Sequence, residues 1–459
     1  MVARLVDDAD AVIYHGDALA VLAGLEARSV QCIVTSPPFW GLRDYGTGEW
    51  SGGDPACEHD VGRSNHAHAG NVHEPGPDGN AFRNSSRYLG QGAPTPNVCR
   101  CGAERIDAQI GLEETPEAWC AALVAVFREA RRVLRDDGVL WVEIGDTYAS
   151  NVGGGTDGSK TKGGVAGHVP NAWGGGSQSP VIRPDNVKPK DLVGAPWLLA
   201  FALRADGWYL RADCIWHRPN PMPESVTDRP TKAHSYVFLL SKRARYYYDA
   251  DAIREPAAND PSAGGRQRAA SRGQVAPAEY STDDTDAGRR ERLNGAQLPT
   301  MANARTVWTI ATEPTPFAHF ATFPQALAER CIKAGTSEHG CCSICGAPWR
   351  RLVDVSYEAT QATMRDRVGV DTTSIRTARA DFVPARRIPT TTGWEASCEH
   401  LGAPVEPCTV LDPFMGSGTV ALVARRLGRR AVGVELSAAY GAIAARRLQQ
   451  LSLFGEVPA

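Results

Sequence analysis

The chain predicts an α/β fold containing a Rossmann-like nucleotide-binding unit. Three observations carry this. First, Cys408-Thr409-Val410-Leu411 reads as a short buried strand. After it come a Gly416-x-Gly418 loop, an Ala/Leu/Arg-rich helix to about Leu427, the strand Arg430-Ala431-Val432-Gly433-Val434, and an acid, Glu435. Strand, glycine loop, helix, strand, acid is the nucleotide-binding βαβ unit. Second, far upstream, the apolar run Cys32-Ile33-Val34-Thr35 stops at Ser36-Pro37-Pro38-Phe39. Third, strand-length apolar runs alternate elsewhere with amphipathic helical stretches, as in a mostly parallel sheet.

In chain order, residues 1–45 read as strand, helix, strand. Ala11-Val12-Ile13-Tyr14 is followed by Gly16-Asp17, a short helix from Ala18 to Leu25, and the Val30–Thr35 strand. Residues 46–105 are rich in Gly, Pro, Asn and His, lack periodicity, and read as an insertion. Thr115-Pro116-Glu117 opens a helix, with Thr as N-cap and Pro at the first helical position. Leu123, Val126, Phe127, Ala130 and Leu134 form its apolar stripe. Gly138 reads as its end and Val139–Ile144 as the next strand. Residues 150–190 are Gly/Ser/Lys-rich, either a linker or a DNA-contacting loop. Leu192–Arg204 reads as helix, and Trp208–Trp216 and Ser235–Leu240 as strands. His217–Glu224 is a proline-rich connector between those strands, and Arg245-Tyr246-Tyr247-Tyr248 begins a hairpin or turn. The core then divides into 1–45 with 106–250, and 306–340 with 401–459. Residues 46–105 and 341–400 are insertions, and 251–305 is a candidate target-recognition or flexible region.

A chain of 459 residues with 22% charged residues has room for a large α/β domain plus a smaller one. No stretch approaches the length of a membrane-spanning helix. The N-terminus lacks a signal-peptide pattern, so the expected location is cytoplasmic, with no membrane partner. The formal charge of −3 does not advertise a nucleic-acid binder. A DNA-binding face would have to come from local arginine clusters. Two candidates exist: Arg266, Arg268, Arg272, Arg289, Arg290 and Arg292, or Arg365, Arg367, Arg376, Arg379, Arg386 and Arg387. Both also read as solvated loops, and the choice between them stays open.

Ser36-Pro37-Pro38-Phe39 suits one chemical problem. The exocyclic amine of a nucleobase is a poor nucleophile, because its lone pair is delocalised into the ring. Two acceptors aimed at its N–H groups favour the form whose lone pair points outward. Proline fixes φ and has no N–H, and the residue before it is held extended. Ser36 supplies a side-chain acceptor, the Pro37 carbonyl a backbone one, and Phe39 an aromatic face for an extruded base. A strand ending in an ordinary Pro-Pro breaker is the plainer alternative. In the downstream loop, Asp412-Pro413-Phe414-Met415-Gly416-Ser417-Gly418-Thr419 has no lysine, which argues against a triphosphate. It also lacks the third glycine of a dinucleotide fingerprint. An adenosyl ligand fits better, with Glu435 accepting the ribose hydroxyls.

Twelve cysteines without a leader argue for reduced thiols or metal sites. Cys342-x-x-Cys345-Gly346 with Cys398-x-His400 has zinc-ribbon spacing. Cys57-x-His59 with Cys99-x-Cys101-Gly102 is a second candidate set, though one spacer residue strains its knuckle. Either would be structural zinc, with no open coordination position.

At this point the chain resembles the DNA amino-methyltransferases of the β class. Val34-Thr35-Ser36-Pro37-Pro38-Phe39 is similar to their catalytic motif, in the variant of the cytosine-N4 members. Asp412 to Thr419 resembles their cofactor loop, with Pro413, Phe414, Gly416, Ser417 and Gly418 inside it and Glu435 as the following acid. Catalytic motif first and cofactor loop last is the permuted order of that class. His319-Phe320-Ala321-Thr322-Phe323-Pro324 resembles the motif preceding the cofactor loop, which makes Phe320 and Thr322 cofactor contacts. Gly16-Asp17 resembles the acidic motif at the adenine edge of the donor, and His217–Glu224 the loop near the flipped base. Met415 stands where many members have alanine, and its backbone rather than its side chain is expected to face the ligand.

The resemblance implies a methyltransferase fold that binds S-adenosyl-L-methionine, to which the cysteine spacing adds zinc-ribbon-like insertions. It implies double-stranded DNA as substrate, base flipping, direct transfer to cytosine N4, and a cognate restriction nuclease as partner. The oligomeric state stays open. Adenine N6 is the nearer alternative, and a non-catalytic zinc-containing DNA-binding protein the more distant one.

Overall fold

The computed structural model describes residues 2–41, 47–57, 59, 99, 101–149, 187–188, 190–256, 301–313, 324–359 and 385–453. Phe320, Thr322 and the arginines at 266–292 and 365–379 lie outside the described residues, as does nearly all of 150–190. The chain divides into two compact units: residues 1–246, 307–332 and 408–459, and residues 247–306 and 333–407.

The first unit is built on a nine-stranded sheet. Its elements begin with β1 (Ala3–Asp7), β2 (Ala11–His15), α1 (Ala18–Ala23), β3 (Val30–Thr35), β4 (Glu49–Ser51) and β5 (Glu104–Ile106). There follow α2 (Pro116–Val133), β6 (Leu134–Ile144), α3 (Ala195–Ala205), β7 (Tyr209–His217) and β8 (His234–Ser241). The second unit holds two short paired strands, β9 (Glu255–Pro256) and β10 (Met301–Ala302). The first unit resumes with β11 (Val307–Thr309), and α4 (Gln325–Gly335) begins in it. In the second unit, β12 (Cys341–Cys342) pairs with β15 (Val405–Glu406), and β13 (Arg350–Ala359) pairs with β14 (Ala385–Glu395) as an antiparallel ribbon. β16 (Thr409–Asp412), α5 (Thr419–Arg426), β17 (Arg430–Glu435) and α6 (Ala438–Leu453) return the chain to the first unit.

The sheet order is β1-β2-β17-β16-β3-β6-β8-β7-β11. From β2 through β17, β16, β3 and β6 every neighbour pair is parallel. β8 then runs antiparallel between β6 and β7. Successive crossovers leave β16 and β3 in opposite directions, so the crevice of this sheet opens between their carboxyl ends. Thr35 ends β3 and Asp412 ends β16. Two segments at opposite ends of the chain therefore meet because the sheet is permuted, not because they are close in sequence.

Local signals place the flanking helices. Thr115 caps α2 by accepting from the Ala118 N–H, and Pro116 sits in its first turn. The buried face of α2 includes Trp119, Leu123, Phe127 and Ala130, packed against α3 residues Leu199 and Leu203. Gly138 does not end this helix. The helix stops at Val133, where Leu134 turns extended, and Gly138 lies inside β6. A Cβ on Gly138 would come within 2.6 Å of the Leu134 Cδ1 and 2.9 Å of the Gln31 carbonyl. Close packing, not helix capping, is what the glycine serves. Among the described residues no helix is long and apolar enough to cross a membrane.

Candidate active site

The carboxyl edge of the parallel strands gathers Thr35, Ser36, Glu143, Asp412 and Glu435. Thr35 Oγ1 donates to Asp412 Oδ1 at 2.6 Å, across 377 residues of sequence. The Phe414 N–H donates to the same oxygen at 3.1 Å. Asp412 is 2% exposed, and burial pushes its carboxyl up to about 7 despite these two bonds. The bridge fastens β3 to β16.

On the cofactor side, Glu435 ends β17 and receives two backbone donors. Gly416 N–H bonds Oε2 at 2.8 Å and Ser437 N–H bonds Oε1 at 2.7 Å. Burial raises its pKa against those bonds. A carboxylate has about four lone-pair positions, so each oxygen can still accept a further donor. Gly416 and Gly418 have φ of 55° and 80°, which favours glycine. Gly418 also has no room for a side chain, since a Cβ would sit 2.9 Å from that of Ala444. Met415 is buried with its Sδ over Gly433, where a Cβ would come within 2.2 Å of that sulfur. Its N–H donates to the Val434 carbonyl at 2.9 Å, so this backbone group is already engaged by the strand.

Ser417 and Thr419 have a partner that sequence reasoning missed. Arg447 on α6 donates to the Ser417 carbonyl at 2.7 Å, to Ser417 Oγ at 3.1 Å and to Thr419 Oγ1 at 3.3 Å. Both side chains are buried. They brace the glycine loop from behind. Pro413 is buried, and Phe414 stands edge-on to Phe127 with ring centroids 6.3 Å apart. Asp17 follows β2 and caps α1, its Oδ1 accepting from the Ala20 N–H at 2.9 Å. It lies two residues beyond His15, which is in register with Glu435.

The Ser36–Phe39 turn and its neighbours are held by several anchors. Trp119 Nε1 donates to the Pro38 carbonyl at 2.9 Å, and Trp40 Nε1 to the Glu113 carbonyl at 2.9 Å. Phe39 packs on the backbone after β6, since a Cβ on Gly145 would be 2.9 Å from its ring. Ser36 Oγ donates to Glu143 Oε2 at 2.7 Å. Glu143 is buried on β6, and burial raises its pKa against bonds from Ser36 and Ser235 and the charges of Arg218 and Lys232. A serine that has given away its only proton presents two lone pairs and no donor. Beside it, Lys232 Nζ donates to the Asp146 carbonyl at 2.6 Å, and burial holds this amine down to about 8. The signal for Glu143 was available: a lone acid inside the apolar strand Val139–Ile144.

The two cysteine sets each converge. The ligand atoms of Cys342, Cys345, Cys398 and His400 lie within 4.8 Å of one another, as do those of Cys57, His59, Cys99 and Cys101. Cys57 and Cys99 sulfurs are 3.8 Å apart, and Cys342 Sγ is 3.8 Å from His400 Nδ1. A tetrahedral ion about 2.3 Å from each sulfur sets ligand separations of about 3.8 Å. A disulfide would bring two sulfurs to about 2.0 Å, and all of these cysteines are free thiols. Both knuckles close on a left-handed glycine. Gly346, at φ 67°, donates to the Cys342 carbonyl, and Gly102, at φ 87°, to the Cys99 carbonyl. The single spacer of the second set therefore still makes a closed turn. Gly53 leaves room for it, since a Cβ there would meet Cys101 Sγ at 2.8 Å.

The sequence matches the family model for DNA methylases over residues 30–342 and 407–446. It is 32% identical over 442 residues to the type II methyltransferase M.Cfr9I of Citrobacter freundii, covering 96% of this chain and 88% of that protein. It is 31% identical over 439 residues to the type II methyltransferase M.SmaI of Serratia marcescens, covering 95% and 90%. Among solved structures it is similar to the PvuII DNA methyltransferase (cytosine-N4-specific), with TM-score 0.44, 12% identity and coverage of 96% and 86%.

Proposed function

The chain belongs to the DNA methylase family, whose members here are S-adenosylmethionine-dependent amino-methyltransferases of restriction–modification type, and we propose that its target is the N4 amine of cytosine in double-stranded DNA. The observation that carries this is the Ser36–Glu143 hydrogen bond. It turns the serine into a pure acceptor beside a stiff Pro-Pro turn and an aromatic platform. A neutral acceptor of this size suits the cytosine amine; a carboxylate at the same position would favour adenine.

The donor set fits an adenosyl sulfonium ligand. Glu435 has acceptor capacity for ribose hydroxyls, the left-handed glycines bring the backbone close, and the loop holds no lysine for phosphate. S-adenosylmethionine supplies a methyl group activated by its positive sulfur. The protein's own residues do the rest. Phe39 supports the extruded base. Ser36 and the Pro37 carbonyl take the two amine N–H groups, which frees the nitrogen lone pair for the methyl carbon. With the donor bound, the amine nitrogen would take the methyl group as the sulfonium leaves as a thioether, and would be left with one proton too many. Ser36 accepts that proton while passing its own to Glu143, whose raised pKa suits it to receive one. No covalent enzyme–base bond is needed, and Cys32 is buried inside β3.

The two Cys/His sets are proposed as structural zinc sites, supported by the ligand separations and the glycine-closed knuckles. A cognate nuclease is the partner implied by the type II relatives. Methylation of plasmid DNA by the purified protein, followed by nucleoside mass spectrometry, tests the target. N4-methylcytosine is the expected product. Label confined to N6-methyladenine would reject the choice of base.

A further inference from the structure

A second polar cavity lies at the opposite edge of the same sheet. It has a volume of about 630 Å³ and is lined by Ala27, Arg28, Arg128, Arg131, Arg132 and Lys242. Arg28 precedes β3, the three helix arginines lie in the last turns of α2 before β6, and Lys242 follows the end of β8. β3 is six residues long, which separates the cavity from Ser36 by roughly 20 Å. It is therefore distinct from the methyl-transfer crevice.

No acidic side chain lines it. The carboxylates that serve its cations stand behind them and are shared. Asp136 alone takes Lys242 at 3.0 Å, Arg243 at 2.6 Å and Arg28 at 3.4 Å. Arg128 has Asp206 and Arg132 has Glu129. Arg131 has no carboxylate partner among the described residues. Its one bond there is from an Nη to the Gly207 carbonyl at a long 3.4 Å, and its Nε is buried without a partner. Helix-end attraction accounts for Arg132, which reaches the Leu25 and Leu22 carbonyls at 2.9 and 2.7 Å. It does not account for Arg131, whose five donors are nearly unused.

Arg28 adds a second observation. It adopts φ of 60°, uncommon for a residue with a side chain. Its own N–H is committed to the Arg132 carbonyl at 3.1 Å, so the turn is held while the guanidinium lines the cavity. The other lining cations each have a carboxylate, whereas Arg131 keeps a buried N–H without a partner, a donor that an anion in the cavity would satisfy. Guanidinium groups pair bidentately with carboxylate and phosphate oxygens, and two of them reaching in from separate elements can share the several oxygens of one tetrahedral phosphate.

We propose that this cavity binds a phosphate group, held chiefly by Arg131 and Arg28. Two sources share that chemistry: free phosphate, and the phosphodiester backbone of DNA that extends beyond the methylated site. Calorimetric titration of the full chain with inorganic phosphate at constant ionic strength tests it, alongside the Arg28→Gln/Arg131→Gln double variant. The expected result is saturable binding that weakens at least about tenfold in the variant, while plasmid methylation at saturating DNA is unchanged. Arg131→Lys, which keeps the charge, should retain part of the binding. Duplex length separates the sources. If the backbone is the ligand, the variant loses affinity for a duplex of about 60 base pairs and its salt slope falls by about 1–2, while a duplex of about 12 base pairs is indifferent. If free phosphate is the ligand, only the phosphate titration changes. Phosphate binding that survives the double substitution intact overturns the proposal. So does a wild type that binds no phosphate together with unchanged DNA affinity in the variant.

Discussion

The methyl-transfer crevice and the two cysteine clusters are both sets of polar groups brought together by the fold, yet they are held in opposite ways. In the crevice each carboxylate has a partner from the chain itself: Thr35 for Asp412, Gly416 and Ser437 for Glu435, Ser36 and Ser235 for Glu143. In the clusters the ligand atoms face one another within 4.8 Å, and thiols are weak partners for each other. The first site is shaped by hydrogen bonds and should respond to protons. The second, as a proposed zinc site, should respond to chelation.

The largest effect should come from breaking a cluster. Metal analysis should return two zinc ions per chain, and Cys345→Ser should remove one. Structural zinc in small peptides contributes about 10–16 kcal/mol of apparent folding energy, so loss of the second unit's ion should make it protease-sensitive at ambient temperature. Metal-free protein that stays protease-resistant would erase the contrast.

The proton-linked arm comes next. Burial raises Asp412 from 3.8 to about 7. A group whose folded pKa exceeds its unfolded value contributes stability that is present below the unfolded pKa and is lost as pH rises through the folded one. Between about pH 4 and 7 the wild type should therefore lose stability relative to Asp412→Asn, by at most about 1.4 kcal/mol per pH unit. Denaturant unfolding of both proteins across this window gives the difference directly. Glu143 titrates in the same sense in both proteins and cancels, whereas Glu435 is coupled by charge to Asp412 and carries part of the difference. Parallel stability curves would mean that Asp412 is ionised throughout.

Within the crevice, Ser36→Ala removes the proposed side-chain acceptor. It should lower turnover by about 2–4 kcal/mol, some thirtyfold to a thousandfold, with donor affinity kept. Glu143→Gln keeps the shape but replaces the charged acceptor that orients Ser36. A hydrogen bond to a charged group is worth about 1.5–3 kcal/mol, so turnover should fall about ten- to a hundredfold. Its pH–rate profile should also lose the acidic limb that protonation of Glu143 gives the wild type. An unchanged limb would assign it to another group.

Much of the cofactor half was legible because its signal is local. Strand, glycine loop, helix and Glu435 follow one another within a few turns of chain, and each constrains the next. Ser36-Pro37-Pro38-Phe39 was legible for the same reason. What was not legible depends on contacts between distant elements. Glu143 meets Ser36 across 107 residues, and Arg447 meets Ser417 across 30. Neither pair has a spacing rule, although a lone acid in an apolar strand is a cue for the first. Gly138 shows the opposite failure. A local rule for glycine at helix ends was applied where tertiary crowding by Leu134 decided the residue.

The smallest effect expected is at Glu435, and it tests whether the crevice is as preformed as its hydrogen bonds imply. Glu435→Gln keeps the side-chain volume and one carbonyl acceptor, but it turns the other acceptor into a donor. Both oxygens now receive backbone N–H groups, from Gly416 and Ser437. The new amide would oppose one of them, and the glycine loop would have to shift to relieve two facing donors. The loop is braced independently by Arg447 and by the Met415 N–H on the Val434 carbonyl, so the shift should be small. The loss should appear as a roughly tenfold weaker affinity for S-adenosylmethionine, about 1.4 kcal/mol, with turnover at saturating donor close to that of wild type. Calorimetry with the donor alone measures the first quantity and steady-state methylation the second. Unchanged donor affinity would remove Glu435 from the cofactor site. Collapse of both quantities together would mean that the carboxylate holds the loop itself, and that this half of the crevice rests on one residue as the clusters are proposed to rest on a metal.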